Sequence, residues 1–225
     1  MSTPVNPTIE TTADGSVTLY LTDIDEHYHS TKGALTESRH IYIDLGWRNH
    51  NSTKSPVKVF EVGFGTGLNA ALTALAAIEA QSDTDYISVE LHPISHELTA
   101  ALFDYQHPQY AEEYRKVNSC PWNTTTRISP YFRLTKLTDN LLTMELPAEI
   151  DVVYFDAFAP EKQPEMWTRD IFYKLYQSMT PGGILTTYCS KGAIRRMLQE
   201  IGFTTERLEG PPGGKREVLR ATKPL

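Results

Sequence analysis

The fold is decided by the stretch Val59-Phe60-Glu61-Val62-Gly63-Phe64-Gly65-Thr66-Gly67-Leu68-Asn69. Apolar residues lead into three glycines at alternate positions, and residues that favour a helix follow them. This pattern predicts a buried strand, a tight turn and the start of a helix. Because glycine has no Cβ, the backbone of such a turn can approach a ligand closely. We therefore predict a ligand-binding turn that contains Gly63, Gly65 and Gly67.

The spacing of these glycines separates two classes of cofactor. Dinucleotide-binding enzymes use G-x-G-x-x-G and place a pyrophosphate at the helix N-terminus. Here the spacing is G-x-G-x-G, and Glu61 precedes the first glycine. A carboxylate would repel a pyrophosphate, but it suits S-adenosylmethionine (SAM), which carries an α-ammonium and a sulfonium. The turn therefore favours SAM, and an NAD-dependent oxidoreductase is the least favoured interpretation.

The composition of the 225 residues is typical of one globular domain with a small appended piece. No apolar run approaches the roughly 20 residues of a membrane span. Met1 to Pro4 lack the basic and apolar regions of a secretion signal. We therefore expect a cytoplasmic protein with no membrane partner. The net charge of −7 provides no general attraction to nucleic acid, so an RNA-binding face must be local.

The sequence predicts a boundary at residue 56. Residues 1–56 are predicted to form an N-terminal β extension and linker, with strands at 16–22 and 39–45. Residues 57–225 alternate strands with helices, which predicts an α/β fold with a doubly wound, mostly parallel sheet. The segment 106–130 is predicted to be a surface excursion. The predicted main strands are 57–62, 86–90, 131–137, 151–155, 184–188 and 217–221, and the later helices are 93–105, 168–179 and 191–201.

Acidic residues follow three of the predicted strands. Glu90 ends the second strand, where a carboxylate can accept hydrogen bonds from both ribose hydroxyls of a nucleoside. Asp139 follows the third strand and is a candidate acceptor for an adenine amino group. Asp156 follows four apolar strand residues and is predicted to point into the cleft. Ligands of such sheets bind at the carboxyl ends of the strands, so these residues are predicted to surround one site. The two cysteines, Cys120 and Cys189, have no zinc spacing, and we expect no metal.

Several blocks of the sequence carry a family resemblance that runs from about residue 17 to the end. The most specific blocks are Asp156-Ala157-Phe158-Ala159-Pro160 with Met166-Trp167, and Gly214-Lys215-Arg216-Glu217. The others are Tyr28-His29-Ser30 with Gly33 and Glu37-Ser38-Arg39-His40, the turn from Glu61 to Asn69, and Thr187-Tyr188 with Ser190-Lys191-Gly192 and Arg195-Arg196. Together they resemble the family of methyltransferases that complete 5-methylaminomethyl-2-thiouridine in tRNA, which includes the methyltransferase half of the bifunctional enzyme MnmC. The segment 107–130 carries no matching motif.

The resemblance implies a class I (Rossmann-like) SAM-dependent fold and methylation of the 5-aminomethyl nitrogen of the wobble uridine in tRNA. It implies SAM as the cofactor, with no metal and no flavin in this chain. The partners would be tRNA and a separate flavin oxidoreductase or other enzyme that supplies the aminomethyl group. The predicted cofactor-binding residues are Tyr28, Ser30, Glu61, Gly63, Gly65, Gly67, Asn69, Glu90 and Asp139, of which Tyr28 and Ser30 are assigned to the methionine end of SAM by the resemblance.

For the reaction, Asp156 is the predicted catalytic residue. The nucleophile is an amine that must lose a proton, and a carboxylate can orient it and accept that proton. Phe158 and Tyr188 are predicted to stack on the base, since each such contact contributes about 1–3 kcal/mol. Basic side chains are the candidates for phosphate contacts. They are Lys191, Arg195, Arg196, Lys215 and Arg216.

Two other classes of function share these features. A small-amine methyltransferase or an aminopropyltransferase would use the same glycine turn and the same acids, and Glu161, Glu165 and Asp170 offer further negative charge for a polycation. The basic C-terminal block favours RNA instead. An inactive SAM-fold module that binds RNA or a partner protein is the second alternative. The intact glycine turn, Glu90 and Asp156 argue against it.

Overall fold

A small antiparallel sheet is the first element of the computed structural model, which describes residues 7–50, 52–105 and 107–225. Its strands are β1 (Thr8–Thr11), β2 (Val17–Leu21) and β3 (Glu26–His27). This sheet confirms the predicted strand at 16–22. Residues 1–4, on which the absence of a secretion signal was argued, lie outside the described residues, as does residue 51 of the predicted linker.

The segment 39–45 is helical, so the strand predicted there is wrong. The short helix α1 (Ala34–Ser38) continues into a π-helical stretch, Arg39–Asp44, and a 3₁₀ turn follows at Trp47–Asn49. Ile41, Tyr42 and Ile43 are all buried, although an alternating strand would bury only every second residue. The β-branched residues suggested a strand, but packing against the helix after the glycine turn decides the local structure.

The central sheet has eight strands in the order β10-β11-β9-β8-β4-β5-β7-β6. The five strands from β9 to β7 in this order are parallel, and β10, β11 and β6 pair antiparallel at the edges. This confirms the predicted doubly wound, mostly parallel sheet. The strands are β4 (Val57–Val62), β5 (Thr84–Glu90), β6 (Thr125–Ser129), β7 (Phe132–Thr138), β8 (Ile150–Phe155), β9 (Met179–Thr187), β10 (Thr204–Glu209) and β11 (Glu217–Thr222).

Helices cover both faces of this sheet. All six residues of β8 are buried, as expected for a central parallel strand that is covered on both sides. None of the helices in the described ranges is long and apolar enough to cross a membrane. Helices α2 and α4 pack on one face, and α5 and α6 pack on the other. The helices are α2 (Leu68–Ala80), α3 (His96–Phe103), α4 (Ala111–Ser119), α5 (Arg169–Ser178) and α6 (Gly192–Ile201).

The segment 106–130 is not a simple surface excursion, because it contains α4 and the edge strand β6. Tyr110, Tyr114 and Val117 are buried at helical spacing against α2. The polar residues between them concealed this pattern. Strand β10 was also missed, because its burial pattern is that of an exposed edge.

The N-terminal segment shares the core of the main fold. Ala34, Ile41 and Trp47 belong to the same buried cluster as Val57 of β4 and Leu68 of α2. Residues before position 56 therefore contribute to the packing of the sheet, and the division into two parts at residue 56 stays a prediction.

Candidate active site

A cavity of about 570 Å³ opens at the carboxyl ends of β4, β5 and β8. This is the edge at which parallel α/β sheets bind ligands. The volume lies within the range of about 300–1,000 Å³ that small-molecule sites occupy. Its wall combines the glycine turn, the strand-end acids and residues of the N-terminal segment. Among the lining residues are Tyr28, Gly63, Gly65, Glu90, Asp139 and Asp156.

The glycine turn brings backbone to the cavity surface where a side chain would not fit. Gly63 has a φ of 88°, and a Cβ there would lie 2.8 Å from the carbonyl oxygen of Asp156. Gly63 and Gly65 line the cavity as predicted. Gly67 does not, because it precedes α2 and lies against Phe64 and Asn118.

Glu90 is placed as a strand-end acceptor for a nucleoside. Its Oε2 accepts a hydrogen bond of 3.2 Å from the Gly65 backbone N–H, and its Oε1 accepts one of 2.9 Å from the His92 N–H. These bonds hold the carboxylate beside the glycine turn and on the cavity wall. Asp139 lies at the same rim and is exposed, with Oδ1 accepting from the Asn140 N–H. Both residues line the cavity, and their contacts with ribose and adenine stay predictions.

Glu61 lies behind the cavity wall rather than on it. Side chains alternate along β4, so Glu61 points to the face covered by α2, where it is fully buried. The Ser88 hydroxyl donates a 2.6 Å hydrogen bond to its Oε2. Burial raises the pKa of this carboxyl to about 8, so it is largely protonated at neutral pH. This position offers no direct contact with the cationic groups of SAM.

Asp156 lies at the end of β8 and faces the cavity. The Tyr42 hydroxyl donates a 2.6 Å hydrogen bond to its Oδ1, and the Asn69 amide donates one of 2.8 Å to its Oδ2. Burial raises the pKa of Asp156 to about 7, against the lowering effect of these two bonds. Asn69 therefore orients the Asp156 carboxyl through this bond. Like Gly67, it does not line the cavity.

Aromatic side chains form the wall next to Asp156. The rings of Tyr28 and Phe158 meet edge to face, with centroids 5.2 Å apart. The Tyr188 hydroxyl donates a 2.8 Å hydrogen bond to the Ala157 carbonyl, which fixes that ring beside the acid. Burial raises the pKa of Tyr188 above its usual value, so its hydroxyl stays protonated. Ser30 also lines the cavity, and all four predicted residues of this wall are therefore at the site.

The predicted phosphate-binding residues are divided between the cavity and the outer surface. Lys215 lines the cavity, and its ammonium lies 3.7 Å from the centroid of the Tyr188 ring. Lys191 forms an ion pair with Glu161 at the surface. Arg195 and Arg196 lie on α6, and Arg216 is exposed in the loop between β10 and β11. These four residues do not line the cavity.

Tyr42, Glu37 and His29 are among the residues at the site that were not predicted. Tyr42 was placed in the wrongly predicted strand 39–45, so its contact with Asp156 had no signal in the sequence. Glu37 is 9% exposed and lines the cavity; its place in the motif with Arg39 was the available signal. His29 forms a 2.8 Å hydrogen bond with the Thr66 hydroxyl, and burial lowers its pKa to about 4. A neutral His29 thus connects the N-terminal segment to the glycine turn.

The residues that line the cavity fit SAM. The glycine wall, where a Cβ would clash, leaves space for a ligand close to the backbone, and Glu90 presents a carboxylate beside it. Among the residues that the structure describes, no group of three or more His, Cys, Asp or Glu is arranged to hold a metal ion. The glycine backbone and the Glu90 carboxylate therefore suit a cationic nucleoside.

Together, the fold and the cavity define a class I SAM-dependent methyltransferase. The profile of a family described as "S-adenosyl-L-methionine-dependent methyltransferase" matches residues 101–224, and the chain belongs to this family. The family comparison confirms the predicted class of enzyme and its cofactor.

Individual relatives make the comparison more specific. The chain is 34% identical over 214 residues to the "tRNA 5-methylaminomethyl-2-thiouridine biosynthesis bifunctional protein MnmC" of Pseudomonas fluorescens, covering 87% of this chain and 32% of that protein. It is 33% identical over 223 residues to the protein of the same name from Nitrosospira multiformis, covering 92% of this chain and 35% of the relative. The chain therefore spans about a third of the length of these curated relatives.

A solved structure agrees with these sequences. The crystal structure of MNMC2 from Aquifex aeolicus superposes with a TM-score of 0.75 at 26% identity, and the match covers 98% of this chain and 72% of that one. The similarity extends over the N-terminal segment as well as the central sheet.

Proposed function

We propose that this chain transfers the methyl group of SAM to the 5-aminomethyl nitrogen of the wobble uridine in tRNA, giving 5-methylaminomethyl-(2-thio)uridine. The observation that carries the proposal is the position of Asp156, a half-buried acid that lines the cavity next to the aromatic side chains. The relatives that cover most of this chain are named for the biosynthesis of that nucleoside.

The main chemical requirement is a free lone pair on the acceptor amine. When bound, SAM supplies a methyl group on a sulfonium, which is already electrophilic. The amine arrives largely as an ammonium and must lose one proton before the N–C bond forms. Asp156, whose pKa is about 7, is matched to this transfer near neutral pH. Asp156 accepts one ammonium proton, and the freed lone pair would then form the N–C bond as the S–C bond of the sulfonium breaks. The leaving group would be the neutral thioether S-adenosylhomocysteine, the product would be the methylated ammonium, and the proton later leaves the carboxyl to solvent.

The neighbours of Asp156 determine its orientation. Tyr42 and Asn69 each donate to a different carboxylate oxygen, so the plane of the carboxyl is fixed from two sides. The remaining lone pairs are available to the amine. Holding the reacting groups in position is the larger contribution, since well-oriented intramolecular reactions reach effective molarities of about 10⁵ M or more.

The rest of the substrate is assigned to the aromatic wall and the basic surface. Phe158 and Tyr188 would stack on the base. Lys215, whose ammonium lies over the Tyr188 ring, would contact the base or its phosphate. Arg195, Arg196 and Arg216 would contact tRNA phosphates outside the cavity. The aminomethyl group would come from another enzyme, such as a separate flavin oxidoreductase, which fits relatives that are named bifunctional.

The test is the transfer of labelled methyl from SAM to two pools of tRNA. One pool carries 5-aminomethyluridine at the wobble position, and the other is unmodified there. We expect label in the aminomethyl pool alone, located on the amine nitrogen. Absence of label in both pools, with SAM binding intact, would refute the tRNA substrate and favour a small amine or polyamine as the acceptor. Absence of SAM binding would favour the inactive module.

A further inference from the structure

A second carboxylate, that of Glu37, lies in the same cavity as Asp156. The residue is 9% exposed, and its Oε2 accepts a 2.9 Å hydrogen bond from the Ser30 backbone N–H. Within the described residues, Oε1 accepts no hydrogen bond. Because Glu37 lines the cavity, a ligand that brings a donor can form a charge-assisted hydrogen bond with its carboxylate.

An ammonium group already lies close to this carboxylate. The Lys215 ammonium is 3.7 Å from the centroid of the Tyr188 ring, a cation–π distance. Lys215 lines the same cavity as Glu37 and Asp156. Burial raises the pKa of both carboxyls, and the charge of Lys215 opposes that rise. Lys215 is exposed and belongs to the loop between β10 and β11. The cavity therefore accommodates an ammonium next to Tyr188, Glu37 and Asp156. The Lys215 ammonium can leave this place because the residue lies in an exposed loop.

We propose that Glu37, Asp156 and the face of Tyr188 form a subsite for the protonated acceptor amine, which the Lys215 ammonium occupies until substrate displaces it. The identity of that amine rests on the function proposed above. Glu37 keeps one N–H of the amine in a charge-assisted hydrogen bond, while Asp156 accepts the proton that leaves. The lone pair that remains is then directed away from both carboxylates, toward the methyl donor.

The surroundings of Glu37 assign it to the acceptor end of the cavity. Its charge acts on Asp156 and Tyr188, which directly follow β8 and β9, and on Tyr42, whose hydroxyl donates to Asp156. Glu90, in contrast, acts on Tyr28 and holds the glycine turn. The two acids therefore serve different ends of the cavity, and Glu37 is a specificity residue for the acceptor.

The test uses Glu37→Gln, which keeps an acceptor for the Ser30 N–H but removes the charge. The probes are two tRNAs that carry 5-aminomethyluridine or its neutral analogue 5-hydroxymethyluridine at the wobble position. We expect the wild-type protein to bind the aminomethyl tRNA more tightly, and the variant to lose about tenfold or more of that preference. The dissociation constant for SAM should not change. Glu97→Gln, an exposed glutamate on α3, is the matched control and should behave as wild type.

Two results would overturn the inference. One is an unchanged preference in Glu37→Gln. The other is weaker SAM binding with the tRNA preference intact, which would assign Glu37 to the α-ammonium of SAM. If Glu37→Gln does not fold, Glu37→Asp keeps the charge and should retain more of the preference than Glu37→Ala.

A further measurement separates this inference from the proposed function. If the wild-type protein does not methylate aminomethyl tRNA, the proposed function fails, but the subsite can still be tested with methylammonium chloride. We expect this small cation to perturb the NMR signals of Tyr188 in the wild type at a concentration about tenfold lower than in Glu37→Gln. Equal titrations in both proteins would refute the subsite.

Discussion

The Tyr42 hydroxyl donates a 2.6 Å hydrogen bond to Oδ1 of Asp156, and the two residues are 114 positions apart in the chain. Tyr42 comes from the π-helical stretch Arg39–Asp44, and Asp156 follows β8. The N-terminal segment therefore completes the site at the carboxyl end of the sheet and sets the charge state of its central acid.

Removing the Tyr42 hydroxyl should shift the pH dependence of the reaction. The hydrogen bond lowers the pKa of Asp156, so Tyr42→Phe should raise that pKa above about 7. A hydrogen bond to a charged group contributes about 1.5–3 kcal/mol, which corresponds to about one to two pKa units. The acidic limb of the pH–rate profile should move to higher pH by that amount. Tyr20→Phe, which removes a surface bond to Asp25, is the control and should leave the limb in place. An unmoved limb in Tyr42→Phe would contradict the role of the bond.

Replacing the central acid should remove most of the activity without removing the cofactor. Because the anionic form of Asp156 predominates above a pKa of about 7, the wild-type rate should increase as the pH rises through that value. Asp156→Asn cannot accept the proton, and kcat should fall about 10²–10⁴-fold with loss of that limb. Calorimetry with SAM serves as the control and should show unchanged affinity. Near-full activity with an unchanged profile would show that Asp156 is not the base.

Because Glu61 is buried with a raised pKa, we predict that the free energy of unfolding depends on pH. Its folded pKa of about 8 is above the ordinary value of 4.5, so between these values the unfolded chain releases a proton that the folded protein retains. The contribution of Glu61 to stability is therefore complete below about pH 4.5 and is lost as the pH rises toward 8. Glu61→Gln removes this loss, and its free energy of unfolding relative to wild type should increase from pH 5 to pH 8. Asp156 titrates in the same direction in both proteins, and its charge also raises the pKa of Glu61, so the difference includes this coupling. Urea unfolding at several pH values measures the difference, and a constant difference would refute the assignment.

The clash at Gly63 should be separable from the cost of its backbone conformation. Gly63 and Gly15 have similar φ values, 88° and 81°, but a Cβ meets the Asp156 carbonyl oxygen at 2.8 Å in the first case and nothing within 4 Å in the second. Gly15→Ala should cost about 1–2 kcal/mol, and Gly63→Ala about 2–5 kcal/mol because overpacking adds to the same conformational cost. Gly63→Ala should also weaken SAM binding. Equal unfolding free energies for the two variants would contradict the close approach.

The basic surface outside the cavity should contribute to tRNA binding through phosphates. The double variant Arg196→Ala/Arg216→Ala should weaken the binding of all tRNAs alike, and the slope of log affinity against log salt should decrease by about 1.5. The matched control is Arg115→Ala/Arg127→Ala, which removes the same charge near the opposite, β6 edge of the sheet. Filter binding at several salt concentrations measures both. An equal loss of slope in the two double variants would indicate general electrostatic attraction rather than a local patch.

Local patterns in the sequence were enough to predict the central strands and the strand-end acids. The last four residues of β8, Val152 to Phe155, are apolar because both faces of the strand are covered, and this run identifies the strand without any knowledge of its neighbours. Glu90 and Asp156 follow such strands directly, so their place at one edge of the sheet follows from the parallel arrangement. The edge strand β10 and helix α4 were missed, because exposed or polar residues dilute their periodicity.

The sequence by itself determined the class of fold, the glycine turn after β4 and the acid after β8, because each of these depends on residues that are adjacent in the chain. Only the tertiary structure decided which of the candidate residues share the cavity. It placed Glu61 behind the cavity wall, brought Tyr42 to Asp156, and placed Glu37 in the same cavity as Asp156. Such contacts join segments far apart in sequence, and the burial that sets the pKa of Asp156 exists only when those segments are packed together.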